Sequence, residues 1–193
     1  MIVVFGGSFN PPTIAHYKIA DYIINTLHCD QFYYLPVGDQ YPKKGLQSAS
    51  DRVAMLKMVA NRLNSCEICL IEVEADKVLT TYESLSILQN QYPNQEIAFV
   101  FGADNLKDLP KWSQSDDLID HFKLIVFRRD HIDVDEIISS MYKKKQSSFI
   151  ILDQFEEMDV SSTMYRNDET KTHLVLTEVD DYIKKHHLYG RGE

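Results

Sequence analysis

The sequence predicts a doubly wound α/β fold in which helices cover both faces of a parallel sheet. Short apolar runs alternate along the chain with segments of helical periodicity, and the connections between them are short. The chain has 193 residues, which is the size of one domain. Because neither a linker nor an internal repeat divides the sequence, we predict a single domain over residues 1–193, with a helical C-terminal part from about residue 159.

Six apolar runs of four to six residues are predicted to be buried strands. Strands of a parallel sheet are covered on both faces, so they are apolar throughout instead of alternating with polar residues. Glycine or proline follows several of the runs and ends them. The predicted strands are Ile2–Phe5, Phe32–Val37, Ile68–Val73, Ile97–Phe101, Leu124–Phe127 and Phe149–Leu152.

Segments with a helical repeat of apolar residues separate these runs. After Thr13, the buried face of a helix is indicated by apolar residues at every fourth position, which are Ala15, Ile19, Ile23 and Leu27. Ser50 is the predicted N-cap of the next helix. This helix and the later ones are predicted over Val53–Leu63, Tyr82–Tyr92, Asp116–His121, Val134–Met141 and Val179–Leu188.

The composition limits the partners that the chain can bind. It has 29 acidic and 20 basic residues and a formal charge of −9, which disfavours nucleic acid and anionic membranes as partners. No apolar run approaches the roughly 20 residues of a membrane span, and Ile2–Phe5 is too short for a signal peptide. We therefore expect a cytoplasmic protein in which Cys29, Cys66 and Cys69 are reduced.

The first predicted strand leads into a segment with the features of a phosphate-binding loop, Gly6-Gly7-Ser8-Phe9-Asn10-Pro11-Pro12-Thr13-Ile14-Ala15-His16. In an open parallel sheet, ligands bind beyond the carboxyl ends of the strands. The two glycines allow a ligand to approach the backbone, and the prolines precede a helix start whose free N–H groups attract anions. Thr13 and His16 are three residues apart, so both side chains can face one phosphate.

A second segment with a helix start lies near the C-terminus, at Asp159-Val160-Ser161-Ser162-Thr163-Met164-Tyr165-Arg166. Ser161 or Ser162 can cap a short helix and create another anion-binding N-terminus. Arg166 follows about one turn later and supplies a planar fork of donors that matches phosphate oxygens. The sequence therefore contains two candidate phosphate sites at opposite ends of the chain.

Together these segments resemble the nucleotidylyltransferase superfamily, whose motifs are Gly-Gly-[Ser/Thr]-Phe-[Asp/Asn]-Pro, [His/Thr]-x-Gly-His and [Ile/Val]-Ser-Ser-Thr-x-x-Arg. The chain differs from the closest relatives in having Thr13 for histidine and Ala15 for glycine. The resemblance implies a Rossmann-like sheet and transfer of a nucleotidyl group. The ATP-binding residues that it implies are Gly6, Gly7, Ser8, Phe9, His16, Gly102, Asp104, Ser161, Ser162, Thr163 and Arg166.

Further stretches are similar to the bacterial nicotinate (or nicotinamide) mononucleotide adenylyltransferases. Gly102-Ala103-Asp104 and Leu109-Pro110-Lys111-Trp112 match their nucleotide-contacting and ring-stacking segments, and Arg129 matches a basic residue near the adenine or the phosphates. Thr80–Ser84 matches their acceptor loop in part, with the tyrosine displaced by one position. Lys43-Lys44 resembles the lysine-bearing loop that reaches the triphosphate, and Lys44 is the preferred one of the two. The resemblance implies that Trp112, Thr81 and Lys44 bind the acceptor and that the catalytic residues are His16, Thr13, Lys44 and Arg166.

The implied reaction joins ATP to nicotinate mononucleotide and releases pyrophosphate. The implied cofactor is Mg²⁺ delivered with ATP, because no carboxylate cage or histidine spacing suits a metal held by the protein. Three alternatives stay open: nicotinamide mononucleotide as the acceptor, phosphopantetheine as the acceptor, and a regulator that binds nucleotide with weak catalysis. The sequence also leaves open whether the chain forms a homo-oligomer.

Overall fold

The computed structural model describes residues 1–128, 131–155 and 158–192. These residues form a six-stranded parallel sheet with the order β3-β2-β1-β4-β5-β6. The sheet confirms the predicted doubly wound, Rossmann-like fold class. Its strands are β1 Ile2–Gly7, β2 Gln31–Pro36, β3 Cys66–Ile68, β4 Ile97–Gly102, β5 Lys123–Phe127 and β6 Phe149–Leu152.

Seven α-helices lie between or after the strands in the part of the chain that the structure describes. Short 3-10 turns connect some of them, among them Leu109–Lys111 after β4. The helices are α1 Ile14–Leu27, α2 Ala49–Ala60, α3 Thr81–Gln91, α4 Ser115–His121, α5 Val134–Met141, α6 Ser162–Asn167 and α7 Thr177–Lys185.

Two apolar layers cover the sheet because alternate residues of each strand point to opposite faces. In β1, Val3 and Phe5 pack with α1, α2, α6 and α7, whereas Ile2 and Val4 pack with α3, α4 and α5. All four side chains are buried, which explains why this strand is apolar throughout. The fold thus follows directly from the continuous apolar runs.

The strand order reverses between β1 and β4, which are neighbours in the sheet but are separated by two strands in the chain. At such a switch point, the connections from the two strands leave in opposite directions and open a crevice at their carboxyl ends. β1 ends at Gly7, where the glycine-rich loop begins, and β4 ends at Gly102, just before Asp104. The topology therefore brings both predicted nucleotide-binding segments to one crevice.

Several predicted boundaries differ from the structure. The N-cap of α2 is Ser48, whose Oγ accepts a hydrogen bond from Asp51 N, and not Ser50. The predicted strand Ile68–Val73 is wrong over most of its length, because β3 ends at Ile68 and the chain then turns. Met141 is 48 % exposed and does not belong to the buried face of α5. An apolar run alone does not distinguish a strand from an ordered turn.

The side chain of Glu72, in the turn after β3, lies half-buried against α3. Its Oε1 accepts a hydrogen bond of 2.8 Å from Ser84 Oγ, and Ser84 is 1 % exposed. Burial raises the pKa of Glu72 to about 7, and the hydrogen bond from Ser84 acts in the opposite direction. The folded state consequently binds a proton more tightly at Glu72 than the unfolded chain does.

We predict that Glu72 makes the protein less stable as the pH rises from about 4.5 to about 7. In this range the unfolded chain has lost the proton that the folded state retains, so ionisation in the folded state costs free energy. Replacing Glu72 with Gln removes this cost, and the variant should gain on the order of 2 kcal/mol relative to the parent between pH 5 and pH 8.

Urea unfolding at several pH values measures the difference in stability. Glu74→Gln is the matched control, because Glu74 lies two residues away with an exposed side chain. A stability difference between parent and Glu72→Gln that stays constant across the pH range would contradict the prediction.

Candidate active site

A cavity of about 390 Å³ lies at the carboxyl end of the sheet, beside the switch point. Its walls come from the loop after β1, the start of α1, the ends of β4 and β5, and the start of α6. The polar side chains that line it are Ser8, Thr13, His16, Lys43, Asp104, Arg128, Ser161, Ser162, Thr163 and Arg166. The structure thus brings most of the predicted ATP-binding side chains into one cavity.

Direct hydrogen bonds join the two predicted phosphate-binding segments across this cavity. Arg166 Nη1 donates to the carbonyl oxygen of Asn10 at 2.6 Å, and Ser162 Oγ donates to the carbonyl oxygen of Pro11 at 2.7 Å. Arg166 also donates through Nη2 to Thr163 Oγ1 at 3.0 Å. Segments about 150 residues apart in the chain therefore form one binding site through charge-assisted and neutral hydrogen bonds.

The start of α6 follows the expected geometry of a capped helix. Ser161 is its N-cap, and Ser161 Oγ accepts a hydrogen bond from Met164 N at 3.2 Å. Ser162 is the first helical residue, and its side chain is engaged with the first loop. The sequence left the choice of cap open between these two serines, and the structure assigns the cap to Ser161.

Thr13 and His16 form a reciprocal cap at the start of α1. His16 Nδ1 accepts a hydrogen bond from the backbone N–H of Thr13 and also lies 2.8 Å from Thr13 Oγ1. An Nδ1 that accepts from an N–H carries no proton, so the neutral imidazole bears its proton on Nε2. The cap therefore sets both the orientation and the tautomer of His16.

Aromatic rings support His16 from the core. The ring centroids of Phe9 and His16 are 5.1 Å apart at an interplanar angle of 70°, and those of Phe5 and His16 are 5.7 Å apart. Phe9 is 1 % exposed and has a φ of 45°, so the loop turns its side chain inward. The structure places Phe9 beneath the site, and its ring does not line the cavity.

The glycines of the first loop are required by neighbouring side chains. A Cβ atom on Gly6 would lie 2.7 Å from the ring of Phe99, and one on Gly7 would lie 3.2 Å from the ring of Phe9. Gly102 is buried at the end of β4, beside Phe127 of β5. On this side of Gly6, the ring of Phe99 thus occupies the space in which a ligand was expected to approach the backbone.

The structure brings Lys43 to the cavity and leaves Lys44 outside it. Both lysines are exposed on the loop, but Lys43 Nζ donates to Ser8 Oγ at 2.7 Å and Lys43 lines the cavity, whereas Lys44 does not line it. Partial desolvation at the cavity lowers the pKa of Lys43, and the nearby Arg166 and Arg52 lower it further. The sequence pattern of two adjacent lysines favoured Lys44 because it does not show which side chain faces Ser8.

Arg52 is a buried arginine that no prediction from the sequence included, and it holds the loops next to the cavity without lining it. It lies on α2 with an exposure of 0 %, and it donates to the carbonyl oxygens of Gln47, Ser8 and Val37 at 2.8, 3.1 and 2.7 Å. These bonds connect the loop after β1 to the loop after β2. An arginine directly before the predicted apolar stripe of α2 is the signal that could have indicated this role.

An apolar part of the cavity lining suits a flat ring. It is formed by side chains from β1, α1, β5 and the segment before α6, which are Phe5, Ile19, Phe127, Phe155, Met158 and Val160. Ala15, the residue that replaces a glycine of the family motif, also lines the cavity. Phe155 and Met158 belong to no periodic pattern, so their position in the cavity could not be predicted from the sequence.

Arg128 flanks the apolar end of the cavity. Its guanidinium forms ion pairs with Asp135 at 2.7 Å and Asp153 at 2.6 Å, and the hydrogen bonds to these carboxylates raise its pKa. The prediction for Arg129 falls on a residue outside the described part of the chain. In the region described, Arg128 is the arginine that follows β5 and lines the cavity.

The predicted acceptor residues Trp112 and Thr81 do not line this cavity. Trp112 packs on the other face of the sheet, with ring centroids 6.4 Å from Phe99 and 5.7 Å from Phe101. Thr81 begins α3, whose N-cap Thr80 donates through Oγ1 to Gln114 Oε1 at 3.0 Å. The structure therefore joins the start of α3 to the segment that follows Trp112, outside this cavity.

The charge of the cavity is opposite to that of the whole chain. Among the described residues, those that line it include three cations, Lys43, Arg128 and Arg166, and one carboxylate, Asp104. A low-dielectric crevice with an excess of positive charge attracts anions despite the formal charge of −9. Two helix starts add N–H dipoles to this field. The fold and the cavity together are those of an α/β protein with a site suited to a phosphorylated ligand.

The described residues contain no cluster of three or more histidine, cysteine, aspartate or glutamate side chains that could hold a metal ion. Within the same residues, no helix combines the length and the apolar character needed to cross a lipid bilayer. The three cysteines are free thiols, with Cys29 and Cys69 buried.

Comparison with known proteins identifies the family. Residues 4–168 match the family described as cytidylyltransferase-like, and the chain belongs to this family. A probable nicotinate-nucleotide adenylyltransferase of Dehalococcoides mccartyi is 32 % identical, over 97 % of this chain and 96 % of the relative. The nicotinate-nucleotide adenylyltransferase of Bacillus subtilis is 27 % identical, over 97 % of each chain. These matches confirm the predicted nucleotidyltransferase family.

A solved structure confirms the fold over the whole length. The nicotinic acid mononucleotide adenylyltransferase of Plasmodium falciparum, complexed with NaAD, superimposes with a TM-score of 0.80 at 23 % identity. The superposition covers 98 % of this chain and 97 % of the other.

We predict that Lys43 and Lys44 differ in their contribution to binding of the polyphosphate chain. Lys43→Met removes a cation beside Ser8 and Arg166, and the affinity for ATP and for inorganic tripolyphosphate should fall about tenfold. Lys44→Met, the matched control, should change either affinity by less than about twofold. Isothermal titration calorimetry measures both, and a larger loss for Lys44→Met would contradict the placement.

Proposed function

We propose that this protein transfers the AMP group of ATP to nicotinate mononucleotide, forming nicotinate adenine dinucleotide and pyrophosphate. The observation that carries the proposal is the cavity at the switch point, which Arg166 and Ser162 close against the carbonyl oxygens of Asn10 and Pro11. The cavity combines an apolar end for a base with cations for a polyphosphate. Relatives with the name nicotinate-nucleotide adenylyltransferase, similar over nearly the whole chain, support this acceptor.

The proposed reaction is a displacement at the α-phosphorus of ATP. A phosphate oxygen of the acceptor forms a bond to the α-phosphorus, and the bond from that phosphorus to the oxygen bridging to the β-phosphate breaks. Pyrophosphate leaves with the electron pair. The attacking oxygen is already an anion, so the protein needs no general base, and catalysis depends on positioning and on charge stabilisation.

The described side chains have consistent roles in this reaction. His16, with the proton on Nε2, donates a hydrogen bond to the α-phosphate region, and Thr13 holds the imidazole in place. Lys43 and Arg166 stabilise the negative charge that shifts to the departing β- and γ-phosphates. We give Lys43 the role that the sequence pattern assigned to Lys44, because Lys43 lines the cavity.

Mg²⁺ fits the proposed site as an ion that ATP brings with it. Asp104 is the one carboxylate among the described residues that line the cavity, and hydroxyl groups of Ser8 and Thr163 supply further oxygen atoms. Mg²⁺ that retains several waters on substrate phosphates needs few protein ligands. When bound, the ion would neutralise phosphate charge, and Asp104 and the hydroxyl groups would hold its water shell or the ribose.

The proposed acceptor site lies beside the ATP cavity, at the start of α3 and at Trp112. The face of an indole ring suits a flat pyridine ring, and Trp112 is held by Phe99 and Phe101. The capping box of α3 occupies the N–H groups of Thr80 and Glu83, so a carboxylate of the acceptor would use the first-turn N–H groups of Thr81 and Tyr82. This combination favours the acid form of the acceptor over the amide. We also propose a cytoplasmic location, which the use of ATP and the free thiols support.

The proposed function is tested by the release of pyrophosphate from ATP in the presence of candidate acceptors. We expect turnover with nicotinate mononucleotide, slower turnover with nicotinamide mononucleotide, and none with phosphopantetheine. His16→Ala should reduce turnover by at least about 100-fold. His28→Asn is the control at the other end of α1, where asparagine tolerates the φ of 48°.

Three outcomes would overturn parts of the proposal. Binding of ATP without pyrophosphate release would indicate a nucleotide-binding regulator. Preference for another acceptor would retain the chemistry and change the substrate. Normal turnover by a folded His16→Ala variant would remove His16 from the mechanism.

We predict that substitution of Trp112 changes the KM for the acceptor and not the KM for ATP. Trp112→Ala should raise the KM for nicotinate mononucleotide about tenfold, because the stacking surface is lost, and should leave the KM for ATP within about twofold. Trp112→Phe, which keeps an aromatic face, should recover most of the loss. Steady-state kinetics with each substrate varied measures both constants, and equal rises in the two KM values would argue against stacking.

A further inference from the structure

The chain after α7 returns to the ATP cavity, although none of its residues lines it. We propose that Tyr189 and Arg191 are positioning residues for ATP, Tyr189 through Asn10 of the first loop and Arg191 through the end of α6. The inference rests on the proposed adenylyl transfer and adds residues that the motifs do not contain. It is carried by hydrogen bonds on two separate paths to the same cavity.

The first path runs from Tyr189 to Asn10. Asn10 is 1 % exposed, and its Oδ1 accepts from Tyr189 Oη at 2.9 Å and from Gln47 N at 3.0 Å. Its Nδ2 donates to the carbonyl oxygen of Gly45 at 2.9 Å. The amide of Asn10 is therefore held on both sides, and Tyr189 supplies one of the two donors that fix its oxygen.

Asn10 connects the two groups that are proposed to hold the polyphosphate. Its carbonyl oxygen accepts from Arg166 Nη1 at 2.6 Å. Its side chain is bonded to Gly45 and Gln47, in the loop that carries Lys43. A shift of the Asn10 side chain would consequently move Lys43 relative to Arg166, and the spacing of these cations must match adjacent phosphates.

The hydroxyl of Tyr189 is suited to remain a donor. Burial raises the pKa of Tyr189 well above its usual value, while Arg166 and Arg52 act in the opposite direction. Tyr189 therefore keeps its proton at neutral pH, and Oη donates to the Asn10 oxygen.

The second path runs from Arg191 to the C-terminal end of α6. Arg191 is 5 % exposed, and its Nη2 donates to the carbonyl oxygens of Asp168, at 2.6 Å, and Tyr165. Its Nη1 donates to the carbonyl oxygen of Glu169 at 3.2 Å, and its guanidinium lies 3.8 Å from the centre of the Tyr165 ring. A cation at this end satisfies carbonyl groups that a helix leaves unpaired. Arg191 thus holds α6, and Arg166 with it.

Both paths end on the ATP side of the sheet. Tyr165, Leu188 and Tyr189 pack in the apolar layer with Phe5 and Phe9, whereas Trp112 packs in the opposite layer. Loss of either path should therefore weaken ATP binding and leave acceptor binding unchanged. A residue that merely stabilised the fold would affect both substrates alike or neither.

The decisive experiment compares Tyr189→Phe with Tyr182→Phe in the full chain. Each removes one hydroxyl with a 2.9 Å hydrogen bond, and the bond from Tyr182 goes to Asp51 on α2; neither Tyr182 nor Asp51 lines the cavity or bonds to Asn10. Tyr189→Phe should raise the KM for ATP roughly fivefold, the loss of about one hydrogen bond. The KM for nicotinate mononucleotide should stay constant in both variants, and Tyr182→Phe should leave the KM for ATP unchanged.

An unchanged KM for ATP in Tyr189→Phe, or equal rises for both substrates, would overturn the inference for Tyr189. Arg191→Lys tests the second path, since lysine keeps the charge but not the planar fork, and it should raise the KM for ATP with no change for the acceptor. An Arg191→Lys variant whose two KM values equal those of the parent overturns the role of Arg191.

Calorimetric titration with ATP alone separates this inference from the proposed function. If the parent binds ATP and forms no dinucleotide, the proposed function fails, and a weaker affinity of Tyr189→Phe still supports the positioning role. If the parent forms dinucleotide and Tyr189→Phe binds ATP as tightly as the parent, the positioning role alone fails. Absence of ATP binding by the parent overturns both.

Discussion

The bond from Arg166 to the carbonyl oxygen of Asn10 is the interaction on which the candidate site depends. It joins the N-terminal loop to a helix about 150 residues later in the chain, and Ser162 repeats the connection at Pro11. With its guanidinium held there, Arg166 lines the cavity together with Lys43 and His16. The parallel topology makes the bond possible, because the loop after β1 and the chain after β6 both leave the sheet at the carboxyl ends of its strands.

The cavity also shows how an acidic protein can bind a polyanion. The overall charge of −9 opposes such binding, yet the lining cations and two helix starts place hydrogen-bond donors and positive charge at the cavity itself. Neighbouring side chains hold two of these cations in place. Arg128 forms ion pairs with Asp135 and Asp153, and Lys43 Nζ donates a hydrogen bond to Ser8 Oγ. A preference for phosphates would therefore come from direct contacts with individual side chains of the cavity, and not from the overall charge of the protein.

Continuous apolar runs and helical periodicity were sufficient to predict the fold class, because the strands are buried on both faces. The segments Gly6–His16 and Asp159–Arg166 could be recognised because helix starts require particular caps and glycines. The choice of Lys43 over Lys44, the buried position of Phe9 and the role of Arg52 depend on which way a loop side chain turns. Tertiary packing decides that direction, and no local pattern in the sequence encodes it.

Phe99 connects the two substrate sites in a way that the motifs do not suggest. Its ring occupies the space where a Cβ of residue 6 would lie, and on its other side it packs against Trp112. A methyl group at position 6 would therefore displace an aromatic ring that supports the proposed pyridine platform. The glycine at the start of the first loop thus constrains the proposed acceptor site as well, so a change in this loop and a change in acceptor preference would be coupled through one shared phenylalanine.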